Sequence, residues 1–270
     1  MIDLIERYYD LSSANEWDRL ARHRTEWAIT LRALREHLPP PPARVLDCGG
    51  GPGRYAIELA KHGYSVTLFD LSRALLSFAR TQAHAANATL AGYEHGTATD
   101  LSRFADDSFD AILFMGPLYH LIDPDDRGAA LREARRVLKP GGMLAAAFIS
   151  QYAGLRFLLK EDPEFLIRSP ERVAGFWQTE SFPPARTDGA EFIAHFIPPT
   201  EVRPLIESAG FDVRAVLGVE GLASMIDDKL NALEGDAWNA WVSLNYCAAF
   251  DPSLHGACEH LLCIAHTPPA

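Results

Sequence analysis

Little in this sequence suits a membrane, a secretory route or a polyanionic partner. No run of about 18 apolar residues occurs, so no segment is long enough to cross a bilayer as a helix. The opening Met1-Ile2-Asp3-Leu4-Ile5-Glu6-Arg7 lacks the basic start and apolar stretch of a signal peptide, and a cytoplasmic location is expected. Basic residues are few: 25 Lys+Arg face 36 Asp+Glu, a net charge of −11. The densest basic cluster, Arg132-Glu133-Ala134-Arg135-Arg136, is diluted by Asp123, Asp125 and Asp126. Phosphate binding needs a basic surface that releases counterions, so no nucleic-acid partner is expected. Cysteine is scarce too. Cys48, Cys247, Cys258 and Cys263 fit neither a CxxC pair nor a zinc finger. Cys258 and His260 alone are weak grounds for a metal, so no metal is expected and the thiols read as buried or incidental.

What is present is a chain of 270 residues with 48% hydrophobic residues, enough to bury a substantial core as one large domain or a domain with an insertion. The first 38 residues read as helices, with Leu4, Ile5, Tyr8 and Tyr9, then Trp27, Leu31, Leu34 and Leu38, at helical spacing. Pro39-Pro40-Pro41-Pro42 stops them. Strand and helix then alternate. Strands are expected at Ala43–Cys48, Tyr64–Phe69, Leu90–His95, Phe109–Met115 and Met143–Ile149. Helices are expected at Gly53–His62, Leu71–Ala86 with Ser72 as its cap, and Asp126–Leu138. Apolar strands separated by helices mean a parallel sheet covered on both faces. Past Ser150 the rhythm changes to helical patches broken by Pro163, Pro170, Pro183 and Pro184. A helix capped by Thr200 (Thr200–Ala209), a strand Phe211–Val219, a helical stretch 222–250 and a last strand His260–His266 follow.

The strongest local signal is Val45-Leu46-Asp47-Cys48-Gly49-Gly50-Gly51-Pro52-Gly53, a strand running into a glycine-rich turn that opens a helix. Glycines let the backbone turn sharply and approach a ligand closely. Dinucleotide sites use the same device, and Gly51-x-Gly53-x-x-Ala56 satisfies their loose pattern. That alternative leaves Asp47 and the later Pro140-Gly141-Gly142 turn without a role. Asp70 ends the second strand, where a carboxylate can accept from both hydroxyls of a ribose. Gly96-Thr97-Ala98-Thr99-Asp100-Leu101 follows the third strand, and Val137-Leu138-Lys139-Pro140-Gly141-Gly142 precedes the fifth.

Together these motifs resemble the class I S-adenosylmethionine-dependent methyltransferases of the small-molecule type, over about residues 43–150 and the C-terminal strand pair. The resemblance implies an α/β, Rossmann-like seven-stranded sheet with the last strand antiparallel. It also implies an N-terminal helical lid (1–42), a cofactor-binding core (43–150), a helical cap insertion (151–198) and a C-terminal part of the core sheet (199–270). By that resemblance Gly49 and Gly51 approach the methionine and ribose of S-adenosyl-L-methionine, Asp47 lies near its ammonium, and Asp70 holds the ribose hydroxyls. Leu71 and Ser72 flank the adenosine, Asp100 and Leu101 meet the adenine, and Met115 lines the methionine side. Many relatives carry an acidic residue where Thr97 stands here, so either Asp100 or a backbone amide reads the adenine amine. The product is S-adenosyl-L-homocysteine.

Gly116-Pro117-Leu118-Tyr119-His120-Leu121 leaves the fourth strand at the ligand-facing edge, and a subgroup of these enzymes carries a tyrosine-histidine pair there. Tyr119 and His120 are therefore the candidate catalytic residues, His120 as a general base or a positioning group. From the N-terminal helices, which bear Tyr8, Tyr9, Trp17, Arg19 and Arg24, a tyrosine, Tyr9 or else Tyr8, is expected to touch the cofactor. The aromatic-rich stretch Phe148, Tyr152, Phe157, Phe165, Phe176, Trp177, Phe182, Phe192 and Phe196 suggests an apolar cap over the acceptor, with His195 as a further polar contact. The expected activity is methyl transfer to O, N or C of a small, partly apolar molecule. A peptide acceptor and a non-catalytic cofactor-binding protein remain the alternatives. Monomer and homodimer stay open.

Overall fold

The apolar runs become strands because each is long enough to be buried on both faces and is bounded by a turn. A computed structural model describes residues 2–11, 13–179 and 192–270. Its strands are β1 (Arg44–Cys48), β2 (Ser65–Asp70), β3 (Gly92–His95), β4 (Phe109–Phe114), β5 (Leu138–Ser150), β6 (Phe196–Ile197), β7 (Asp212–Gly218) and β8 (His260–His266). The sheet order is β3-β2-β1-β4-β5-β8-β7, with β6 beside β5. All pairings are parallel except β5 with β8 and β7 with β8. The expected Rossmann-like sheet is present, with a short eighth strand: β6 pairs with Ile149 and Ser150 where β4 no longer flanks β5.

Alternate residues on each strand feed opposite cores. Leu46, Cys48, Ile112, Phe114, Leu144 and Ala146 pack on one face. Val45, Leu68, Ala111, Leu113, Met143 and Ala145 pack on the other. Asp47 falls on the second face and is fully buried. The chain leaves β1 toward β2 and later returns to β4 on its other side, so the strand ends open a crevice between β1 and β4.

Three expectations need correction. The stretch 222–250 is not one helix: a short turn at Gly221–Ala223, a helix Asp227–Asn231 and a helix Gly235–Ala248 share it. The Asn245 side chain causes the fold-back, accepting from the Leu222 amide (2.8 Å) and donating to the Glu220 carbonyl (2.9 Å). Thr200 is not a cap; the helix Pro199–Ser208 starts with proline at its first position and Pro198 before it. Pro140-Gly141-Gly142 lies within β5, where the β4 register shifts between Phe109 and Ala111. A one-turn helix, Pro117–His120, was not foreseen.

Candidate functional site

The crevice holds a cavity of about 280 Å³. The glycine turn forms one wall, and its geometry follows from hydrogen bonds to β2. The Gly49 amide donates to the Phe69 carbonyl (2.7 Å), and the Gly51 amide donates to the Asp70 carboxylate (2.7 Å). The other Asp70 oxygen accepts from the Ser72 amide (2.8 Å). Burial pushes the Asp70 carboxyl up to about 6, against the pull of the Ser72 and Gly51 amides. A carboxylate has about four acceptor positions, so Asp70 retains capacity for a ligand at the cavity lip.

Gly50, which the alternating glycine pattern passes over, makes room for Asp47. A Cβ there would lie 2.4 Å from Leu68 Cδ1 and 2.5 Å from the Asp47 carboxyl carbon. Among the described residues neither Asp47 oxygen meets a donor at full hydrogen-bond geometry, the Ala56 amide pulling on it only weakly. Burial, then the charge of Asp70, push its carboxyl up to about 7, with the Ala56 amide opposing. A folded value above the ordinary 3.8 penalises the folded state fully above pH 7, and the penalty fades as pH falls toward 4. Asp47→Asn should therefore raise the Tm of the ligand-free protein at pH 8 and raise it less at pH 5, as read by thermal scans at both values.

The next wall is the segment after β4. Met115, Gly116, Pro117, Tyr119 and His120 all line the cavity. Tyr119 Oη donates to the Met115 carbonyl (3.0 Å). The His120 ring is held at both nitrogens. Nδ1 faces the Ile193 carbonyl (2.7 Å), which can only accept, so Nδ1 carries the proton. Nε2 then accepts from the Tyr9 hydroxyl (2.5 Å). Burial lowers His120 to about 4, the Ile193 carbonyl opposing, so the ring is neutral at ordinary pH.

Tyr9 belongs to the helix Ile2–Leu11, which lies over the cavity. Glu6, Tyr9 and Asp10 share one face of it at spacings of three and four. Asp10 accepts from Ser72 Oγ (2.5 Å), and Glu6 lies 3.7 Å from His95 at the end of β3. Tyr8 meets Phe192 edge-on at 5.9 Å.

Of the expected cofactor contacts, Tyr9, Gly49, Gly51, Asp70, Leu71, Thr97 and Met115 line the cavity. Asp47 lies behind the glycine turn. Ser72 is the buried cap of the helix Arg73–Ala85, accepting from the Leu75 amide. Leu101 is in the core and Asp100 is exposed, its side chain accepting from the Ser102 amide. These four do not reach the cavity wall. The His195 ring is not part of that wall either; its backbone amide bonds the Tyr119 carbonyl (2.7 Å). Trp17 packs against Phe78 instead. Among described aromatics of the expected cap, Phe192 alone lines the cavity. Phe176 and Phe196 form a small core of their own with Ile149, Ala153 and Ala194, while Tyr152 and Phe157 are exposed. The Trp177 side chain and Phe182 lie outside the described residues.

The sequence reading missed a charged pole. Glu16, Arg19 and His260 also line the cavity. Arg19 donates to both oxygens of buried Glu26 (2.7 and 3.0 Å). His260 Nδ1 donates to Glu220 (2.7 Å), whose second oxygen accepts from the Glu259 and His260 amides. Burial alone would raise Glu26, but Arg19 and His260 hold it down at about 2. Burial alone would lower His260, but Glu26 and Glu220 hold it up at about 9. Ligand-type atoms of Glu26, Glu220 and His260 lie within 4.8 Å of one another, yet Arg19 and the backbone amides already occupy the carboxylates. The one local signal was His260, a histidine opening a strand whose interior is apolar.

Residues 45–142 match the model of the methyltransferase domain family. The chain is similar to a ubiquinone biosynthesis O-methyltransferase of Caulobacter sp. (strain K31), at 30% identity over 65% of this chain and 62% of that one. It is also similar to the tRNA 5-carboxymethoxyuridine methyltransferase of Escherichia coli (strain K12), at 34% identity over 47% of each. The chain thus spans less than two thirds of the length of these curated relatives. A solved structure of a SAM-dependent methyltransferase from Methanosarcina mazei shares the fold, with a TM-score of 0.62 and 24% identity over 88% of this chain and 98% of that one. No described helix is long and apolar enough to cross a membrane. With the glycine turn, Asp70 and the sheet order as found, residues 45–142 match the methyltransferase domain family, within a fold shared with a SAM-dependent methyltransferase of known structure.

Proposed function

We propose that this protein transfers a methyl group from S-adenosylmethionine to a small, partly apolar acceptor. One observation carries the reading. A glycine turn whose Gly51 amide is pinned by Asp70 opens, at the sheet's switch point, on a cavity covered by the N-terminal helix. The buried Asp47 carboxylate beside that turn, which meets no donor at full hydrogen-bond geometry, and the open space at Gly51, where a Cβ would meet nothing nearer than 3.9 Å, fit the cofactor. When bound, S-adenosylmethionine supplies an electrophilic methyl on a sulfonium.

The chain's residues do the rest. Asp70 holds the ribose, with Gly49, Gly51, Leu71, Thr97 and Met115 as walls. Asp47, Ser72 and Leu101 support these from behind, and exposed Asp100 turns the loop that carries Thr97. Residues 1–42 act as a lid over the core 43–150, and residues 151–198 cap it before the sheet is completed by 199–270. Closing the lid excludes water and aligns the acceptor, which supplies much of the acceleration when the donor is already activated. Tyr119 shapes the wall. Neutral His120, its free lone pair taken by Tyr9, positions the lid and the acceptor rather than removing a proton. Tyr9→Phe should therefore raise KM several-fold and leave the pH profile of kcat unchanged in steady-state assays; a new ionisation appearing once the His120 lone pair is freed would restore base catalysis by His120.

The negative charge and the N-terminal helix lying over the cavity support a small acceptor over a peptide or a nucleotide in RNA. The test is calorimetry with S-adenosylhomocysteine and NAD, followed by labelled-methyl transfer to panels of small phenols and amines, peptides and tRNA. Binding of NAD and not S-adenosylhomocysteine would overturn the reading, and turnover on tRNA or peptide alone would replace its acceptor class.

A further inference from the structure

The charged pole of the cavity has no task in the scheme above. Because β8 runs antiparallel, its first residue, His260, comes to the edge where the parallel strands end, opposite Ile149 in the ladder with β5. Three of its neighbours are charged: Glu26, Glu220 and Arg19. Their acceptors are spent. Both Glu26 oxygens take Arg19, and both Glu220 oxygens take His260 and two backbone amides. The donors are not spent. Nδ1 of His260 is used, whereas Nε2 has no hydrogen-bond partner among the described residues, and the side chain is partly exposed in a residue that lines the cavity. Arg19 uses two of its five N–H groups. With His260 held protonated, Nε2 carries a proton too. Glu16 is a further charged group of this pole, 3.8 Å from Arg19, and burial raises its carboxyl, so it takes up a proton more readily than an exposed one.

An array of unspent, charge-bearing donors backed by buried carboxylates suits an anion with two acceptor oxygens. We propose that His260 and Arg19 form a subsite for the carboxylate of an acidic ligand at the β5–β8 side of the cavity. The sheet order favours the acceptor as its source. β8 stands two strands beyond β4 and three beyond β1, which at about 4.8 Å per strand sets His260 well away from the glycine turn. The methionine carboxylate of the cofactor is the other source of the same chemistry. The proposal rests on the cofactor reading of the preceding section.

The test compares wild type and His260→Gln by calorimetry with three probes. These are S-adenosylhomocysteine, its decarboxylated analogue, and benzoate added to protein saturated with S-adenosylhomocysteine. Binding of the decarboxylated analogue by the variant shows that the cavity is intact. The expected result is unchanged S-adenosylhomocysteine affinity and a roughly tenfold or greater loss of benzoate binding, the scale of a charge-assisted bond. A comparable loss for S-adenosylhomocysteine but not for its decarboxylated analogue keeps the carboxylate subsite and assigns it to the cofactor. If neither carboxylate ligand loses affinity, or if wild type binds no benzoate and the variant binds S-adenosylhomocysteine normally, the subsite is overturned while the cofactor reading stands. If wild type binds no S-adenosylhomocysteine, the cofactor reading itself has failed.

Discussion

Gly49→Ala should lower the Tm by roughly 5–15 °C and abolish cofactor binding at ordinary concentrations. Two costs add. Gly49 sits at φ +70°, a region that costs an L-residue about 1–2 kcal/mol. A Cβ there would stand 2.6 Å from Cγ and Cδ of Pro117, a rigid ring at the start of the helix bearing Tyr119 and His120, and overpacking of that kind costs about 1–3 kcal/mol. A chain of this size loses about 2–4 °C per kcal/mol. Gly51→Ala is the control. Its φ is +55°, but a Cβ would meet only Leu75, at 3.9 Å. It should lose a few degrees while still losing affinity for S-adenosylhomocysteine. Thermal scans with and without ligand separate the two. Equal Tm values for both variants would mean that Pro117 gives way.

Asp70→Ala should weaken S-adenosylhomocysteine binding by about 10- to 150-fold, equivalent to about 1.5–3 kcal/mol for charge-assisted hydrogen bonds. The structure gives the loss a second source. Without the carboxylate, the Gly51 and Ser72 amides lose their acceptor, so the turn itself loosens. Its pH dependence follows from the raised carboxyl: below about 6 the group is protonated and gives up acceptor capacity, so wild-type affinity should fall on acidification through that range and the variant's should not. Calorimetry from pH 5 to 8 reads both. An unchanged dissociation constant in the variant would place the ribose contact elsewhere.

What the sequence made legible was local. The glycine turn, the acidic end of β2, the Ser72 cap and the bounds of β8 each depend on residues a few positions apart, and all four are where the pattern put them. Illegible features depend on distance along the chain. Arg19, Glu26, Glu220 and His260 belong to two helices, a turn and a strand edge, and nothing local announces that they share counterions. The helical stretch 222–250 was misread for a related reason. Its composition suits a helix, but Gly221 and Gly235 adopt positive φ and Asn245 reaches back across the turn. Tyr9 could be picked as a contact, but not that its hydroxyl would occupy the His120 lone pair.

The helix Ile2–Leu11 is fastened by hydrogen bonds at two places: by Asp10 after β2 and by Tyr9 after β4. Those anchors stand on both sides of the crevice, so the helix can seat only when both rims are in position. Arrival and departure then obey different clocks. A ligand enters at the rate of diffusion into an open groove, but it leaves only after two small attachments release together. Dwell time, more than capture, becomes the quantity that single changes along this first helix would tune.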